Sequence, residues 1–154
     1  MAKRKPLVLV SGAIQQLQAG DYLGDEQYIS LINGEAGAAV ICMPVYISAA
    51  DTAKKARANA GATVPAMGFI VDTSVAAGAS ANVQTQGVLT ATTAQWDAVA
   101  GTTGGLTAGQ SYFLSDTTAG QLISTQAASG YCQELGIALS ATELLIKMKG
   151  AIQL

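Results

Sequence analysis

Short apolar runs, each closed by turn-forming residues, recur along the chain and predict strands rather than helices. Leu7-Val8-Leu9-Val10 and Ala13-Ile14-Gln15-Gln16-Leu17 flank Ser11-Gly12. That spacing predicts a β-hairpin, with Gly12 free to supply the positive φ of a tight turn. Residues 28–32 and 39–47 read as the next strands, with Asn33-Gly34 as a turn signal between them. Pro44 lacks a ladder donor, so it argues for an edge strand or a bulge. Residues 68–71, 81–85 and 88–92 are further short strands, and a glycine-rich loop at 101–109 leads into another at 110–114. The last strands are 134–140 and 143–149. In the latter Leu144, Ile146 and Met148 alternate with Glu143, Leu145, Lys147 and Lys149, the pattern of a strand with one buried face. One stretch, Thr93-Ala94-Gln95-Trp96-Asp97-Ala98-Val99, reads as a short helix with Thr93 as N-cap. Its Trp96 is expected to plug one end of the core. About ten short strands at this spacing predict an all-β fold, a single-domain sandwich or barrel with one short helix near Trp96.

The pattern also repeats. Pro44-Val45-Tyr46-Ile47-Ser48 returns as Ser111-Tyr112-Phe113-Leu114-Ser115, and Met67-Gly68-Phe69-Ile70-Val71 returns as Leu135-Gly136-Ile137-Ala138-Leu139. The serine and the glycine lie 20 residues apart in the first copy and 21 in the second. Each half reads as strand, excursion, strand, as expected of a duplicated β-unit. The repeat decides one ambiguous stretch. Residues 48–60 contain good helix material, but their counterpart has Gly120 followed by Gln121-Leu122-Ile123-Ser124-Thr125, which looks like strand. An irregular strand is therefore expected in both. The chain divides into an N-terminal arm and hairpin segment, 1–36, and a duplicated β-domain, 37–154, within one compact domain.

Composition narrows the function. At 154 residues the chain is about one domain long. Charged residues make up 12%, about half the share usual in soluble domains, while half of all residues are hydrophobic and only 5% aromatic. Ser, Thr, Asn, Gln and Gly interrupt the uncharged stretches, so none reads as a membrane span. Lys3-Arg4-Lys5 precedes too short an apolar run for a signal peptide, so synthesis in a cytoplasm is expected. A chain with so little charge and a mean hydropathy of +0.35 is expected to cover surface with copies of itself or a partner. A net charge of −2 excludes a strongly basic nucleic-acid binder. The positive charges gather at Lys3-Arg4-Lys5, at Lys54, Lys55 and Arg57, and at Lys147 and Lys149. The first group is either an arm that docks on an acidic surface or a solubilising terminus, so Lys3, Arg4, Lys5, Leu7 and Leu9 are the candidate interaction residues.

Reactive chemistry is sparse. There is no histidine, which removes the commonest general base. Cys42 and Cys132 are the only cysteines and read as small buried hydrophobes rather than a disulfide, and no structural zinc set can be assembled. Gly104-Gly105-Leu106-Thr107-Ala108-Gly109-Gln110-Ser111 comes within one residue of a P-loop. Gln110 replaces the lysine that holds the phosphates, and a strand follows where a helix is required, so the segment reads as a turn. Asp21, Asp25 and Glu26 offer oxygen ligands for a hard cation but match no EF-hand loop, and a solvated turn is the plainer reading. No active site, cofactor or metal site is expected.

Three stretches carry a resemblance. Lys5-Pro6-Leu7-Val8-Leu9-Val10-Ser11-Gly12-Ala13-Ile14-Gln15-Gln16-Leu17-Gln18-Ala19-Gly20-Asp21 resembles the opening segments of tailed-bacteriophage structural proteins. Thr93-Ala94-Gln95-Trp96-Asp97, followed by the segment from Gly104 through Ser115, is similar to a module of phage fibres and capsid decoration proteins. Gly136-Ile137-Ala138-Leu139-Ser140 through Leu144-Leu145-Ile146 resembles the close of that module. These motifs are shared by several virion components. The length and the lack of a fibrous repeat favour a capsid decoration (cement) protein. The resemblance implies a place on the outer capsid surface of the virion, with the major capsid protein and itself as partners, typically as a homotrimer, and with no nucleic acid or membrane bound. The alternative is a tail-fibre, baseplate or head-fibre component that binds host glycans. A third class, a virion-associated glycan hydrolase, needs a carboxylate pair that the sequence does not place.

Overall fold

A computed structural model of the protein describes residues 27–154 and, before them, the backbone of two strands, β1 (Leu7–Val10) and β2 (Ala13–Gln16). These two pair antiparallel, Leu7 opposite Gln16 and Val10 opposite Ala13, as the expected hairpin. The fold is all-β with one short helix among the described residues.

Five strands close a small barrel: β3 (Tyr28–Asn33), β5 (Pro44–Ala49), β6 (Thr52–Lys55), β7 (Gly68–Ile70) and β9 (Ser80–Gln84), in the order β3-β6-β5-β7-β9. A separate two-strand ladder, β4 (Ala39–Val40) with β8 (Ser74–Val75), packs against it. Every barrel pairing is antiparallel except the closing one, where Ile32 and Asn33 of β3 run parallel to Thr52 and Ala53 of β6. So few strands leave room inside only for small aliphatic side chains. Leu31, Val45, Ala53, Ile70, Ala81 and Val83 form that core with Ala39, Met43 and Val75. No aromatic residue enters this core.

A second sheet follows the same plan. Its strands are β10 (Gly87–Thr90), β11 (Ser111–Leu114), β12 (Leu122–Ile123), β14 (Glu134–Ala138) and β15 (Glu143–Ile146), in the order β10-β15-β14-β11-β12. Between them β13 (Tyr131–Cys132) leaves the sheet to pair with the last strand, β16 (Ile152–Gln153). Matched in chain order, the five staves of each unit have the same neighbours, and the register matches too. Val45 lies opposite Gly68 as Tyr112 lies opposite Gly136. Ile47 lies opposite Ala53 as Leu114 lies opposite Leu122, and Ile70 opposite Val83 as Ala138 opposite Leu144. The internal repeat is therefore a duplicated five-strand unit.

The recurring glycine has a steric cause. A Cβ on Gly68 would lie 2.7 Å from the carbonyl oxygen of Gln84, and one on Gly136 would strike the carbonyl oxygen of Leu145. Gln84 and Leu145 occupy the same position of the two units, each paired one strand over from the glycine's neighbourhood. Each unit needs the close backbone approach that only glycine permits.

The units differ in closure. β3 runs on to Asn33 and closes its barrel, whereas at the matching position the second unit turns into α1 (Thr93–Ala100). Trp96 and Val99 of α1 then join Leu89, Tyr112, Leu114, Leu122, Leu135 and Leu144 in the second core. That core also takes in Phe69, Ala56 and Ala58 from the first unit, with Tyr46 and Val71 packed against it. The outer face of the barrel thus supplies part of the second unit's core.

Several expectations are corrected in detail. The run 39–47 is two strands, because Cys42 adopts a left-handed φ of 67° and breaks it. Pro44 marks neither an edge nor a bulge. It opens the interior stave β5, where its carbonyl accepts from Ala56 N–H, and a strand's first residue tolerates the missing donor. The helix N-cap is Thr92 rather than Thr93, because Gln95 stands where it completes a capping box with Thr92. A division at 36/37 cuts the duplicated unit, since β3 is a barrel stave.

Gly68→Ala and Gly136→Ala should each destabilise the fold by about 1–3 kcal/mol. Gly37→Ala, whose Cβ would meet nothing within 4 Å, should stay within about 0.5 kcal/mol of wild type. Denaturant unfolding checks this: equal costs at all three positions would contradict the close-approach argument.

Candidate functional site

The segment that links the two halves of the second sheet concentrates the features singled out in the sequence. α1 is fixed at its start by a capping box, in which Gln95 N–H donates to Thr92 Oγ1 at 3.2 Å and Thr92 N–H to Gln95 Oε1 at 2.8 Å. This fixes Trp96, which is fully buried and donates its indole N–H to the Thr142 carbonyl at 3.1 Å. No ring face is left for a ligand. The tryptophan is a core plug held by one polar bond.

Asp97 explains the P-loop-like sequence. Its carboxylate accepts from Gly105 N–H at 2.8 Å, from Gly104 N–H at 3.0 Å and from the Thr102 hydroxyl at 2.8 Å. Gly104 and Gly105 hold φ of 85° and 92°, which turns their amides inward. The backbone donors that would cradle a phosphate are thus occupied by the chain's own carboxylate. The segment then enters β11 rather than a helix. The Gly105 amide first and the Thr102 hydroxyl next hold the Asp97 carboxyl below its ordinary range against the opposing effect of desolvation, with a lesser contribution from the Gly104 amide.

The other engaged polar groups tie the two units together. Gln133, 1% exposed, accepts from Ala66 N–H at 2.8 Å and donates to the carbonyls of Ala66 at 2.9 Å and Lys149 at 3.0 Å. Arg57 Nε donates to the Asp116 carbonyl at 3.0 Å, and Ala58 N–H to the Ser115 carbonyl at 2.8 Å. Gln84 Nε2 reaches across the linker to the carbonyls of Gln86 and Val88. Within the second unit, Glu134 pairs with Lys149, which holds its carboxyl below the ordinary range, with smaller help from Ser111 and Lys147. No buried side-chain polar atom lacks a partner among the described residues. The buried glutamines were not anticipated; the one signal for Gln133 is an uncharged amide between apolar neighbours and a β-strand.

Of the candidate interaction residues, Lys3, Arg4 and Lys5 lie outside the described residues, as do Asp21, Asp25 and Glu26. Leu7 and Leu9 stand on β1, opposite Gln16 and Ile14, and only their backbone is described. Cys42 and Cys132 are both free thiols; burial pushes Cys42 up to about 12, which leaves it unreactive as a thiolate, and Cys132 is half-exposed. Asn33, Glu35, Lys54 and Lys55 line a cavity together with Val45, Ala53 and Ile70, and its volume of about 10 Å³ has room for about one water. That is far below the roughly 300 Å³ at which small-molecule sites begin. Among the described residues no three of His, Cys, Asp or Glu gather in a metal-binding group, and no helix is long and apolar enough to cross a membrane. No protein-family model and no curated protein matches the sequence.

Asp97→Ala should loosen the loop at 101–109. The Asp97 carboxyl is depressed on folding, so its contribution to stability is fully present above pH 3.8, its ordinary value, and is lost as pH falls through the lower folded value. Wild-type stability should therefore fall with acid more steeply than that of Asp97→Ala, and limited proteolysis should cut the variant first in this loop. Identical acid profiles and cleavage patterns would remove the clamp from the account.

Proposed function

We propose that this chain is a structural protein of a tailed-phage virion, a capsid decoration protein that sits on the outer head surface, associates with itself as a trimer and binds the major capsid protein. It is made in the bacterial host cytoplasm and acts by binding rather than by catalysis. The observation that carries the choice over a glycan-binding fibre component is the kind of apolar surface the fold leaves open. The large apolar residues exposed among the described positions are aliphatic: Ile32, Ile47, Val88, Leu139, Ile152 and Leu154. The aromatic ones are buried or half-buried, including Trp96, Tyr112 and Phe69. Sugar recognition favours exposed ring faces with polar edges, whereas aliphatic patches suit protein–protein contact. The sequence resemblance to phage structural modules supports the same reading, and so do carboxylates and amides engaged in holding the scaffold.

The mechanism is mechanical. A protein that binds the assembled lattice better than free subunits stabilises the lattice by mass action, by about 2.7 kcal/mol per site at a hundredfold excess over Kd. Linking copies in an oligomer adds avidity to modest individual contacts.

Heads that carry the protein should release DNA at a higher temperature than heads that lack it. Thermal release curves with and without added protein measure this, and equal curves at saturating occupancy together with binding to host polysaccharide would reject decoration for the fibre reading. The basic tip is the proposed point of attachment: deletion of residues 1–6 should lower occupancy on heads while the melting transition stays unchanged. Unaltered occupancy would leave Lys3, Arg4 and Lys5 with a solubilising role.

A further inference from the structure

The second sheet turns an apolar face outward. Val88, Leu145 and Ile137 stand side by side across β10, β15 and β14, with Leu139 two residues on from Ile137; Phe113 lies further along the same side, on β11 opposite Glu134. Val88 is 42% and Leu139 49% exposed, and the other three are half-buried. Their neighbours in sequence, Leu89, Leu144, Ala138, Tyr112 and Leu114, fill the core on the opposite side.

The register of the duplication identifies this face. Ile137 stands where Phe69 stands in the barrel, Phe113 where Tyr46 stands, and Leu145 where Gln84 stands. In the first unit that face is an interface: Phe69 is fully buried in the core shared with the second unit, and Tyr46 packs against it. There it meets the inner side of the second sheet, so this surface of the fold already serves once as an interface. The second unit carries apolar residues on the same surface, with Leu145 in place of the polar Gln84. Its charges are also self-complementary. Along the outward side of β15 the order is Glu143, Leu145, Lys147. Copies arranged about an axis through the Leu145 side chains bring Glu143 of each to Lys147 of the next, in a pair or a closed ring.

We propose that the outer face of the second sheet, centred on Leu145, binds a second copy of this chain. The assignment deepens the self-association part of the decoration reading and names the surface that serves it.

Light scattering of the purified full chain tests it, with far-UV circular dichroism and melting as the check on folding. Wild type should be oligomeric in the micromolar range. Val88→Lys combined with Leu139→Lys replaces side chains that are already exposed, so the fold should survive and the mass should drop to that of a single chain. Glu143→Lys alone and Lys147→Glu alone should each weaken association, and the two together should restore it, because the reversed charges again complement each other. That rescue separates a contact from a loss of fold. A monomeric wild type, an unchanged mass for the folded double lysine variant, or loss of the oligomer only on deletion of residues 1–17 would overturn the assignment; the last would give the contact to the N-terminal hairpin. Binding of wild-type protein to heads is scored separately, so a failed interface and a failed decoration reading give different results.

Discussion

Closure of the barrel rests on a parallel contact of two residues, Ile32 with Thr52 and Asn33 with Ala53. Parallel closure asks β3 to run straight past its antiparallel partner β9 until it meets β6. Asn33 then anchors the end of the stave: its buried amide donates to the carbonyls of Gly37 at 3.0 Å and Val75 at 2.9 Å, and its Oδ1 accepts from Glu35 N–H at 3.0 Å. In the second unit the chain leaves the sheet at this point. The capping box of Thr92 and Gln95 starts α1, and Trp96 fills the volume that closure would otherwise have sealed. One unit closes by hydrogen bonds and the other by a buried indole. From that single difference follow the shared core and the asymmetry of the two outer faces.

Buried amides and Arg57 in this fold are spent on the join between the units, and Asp97 on its own loop. Gln133, Gln84, Arg57 and Asp97 are the side chains a reader would inspect for chemistry, and each is committed to backbone atoms of a neighbouring loop or strand. A buried amide that satisfies a backbone donor and acceptor together leaves nothing for a substrate and fixes one arrangement of the chain. The arrangement suits a protein whose work is to hold shape while its surface makes contacts.

Much of the fold was legible in the sequence because each stave keeps its own alternation. Tyr112 and Leu114 point inward and Leu144 and Ile146 do the same, so period-two reading succeeds there. The repeat pointed to strand within 48–60 against its helical composition, and the strand there is the end of β5 and Thr52–Lys55, which pairs with both β3 and β5; residues 56–60 are not strand. The break at Cys42 was not legible: Ile41 and Cys42 continue an apolar run, and nothing local announces a left-handed residue in it. The Asp97 clamp had one visible signal, a lone carboxylate in the uncharged stretch between Asp72 and Asp116. Its partners come from a loop that folds back after the helix ends, which the helical pattern does not show. The basic tip lies outside the described residues, and the outer apolar face depends on a register that sequence pattern cannot supply.

The most direct test of the account is a cryo-EM map of the parent virion with and without this protein. The account predicts density on the outer head surface that fits a closed five-strand barrel joined to an open five-strand sheet, with neighbouring copies meeting through the sheet that carries Leu145. Density for the chain at the tail tip or baseplate, or heads unchanged by its removal, would contradict it.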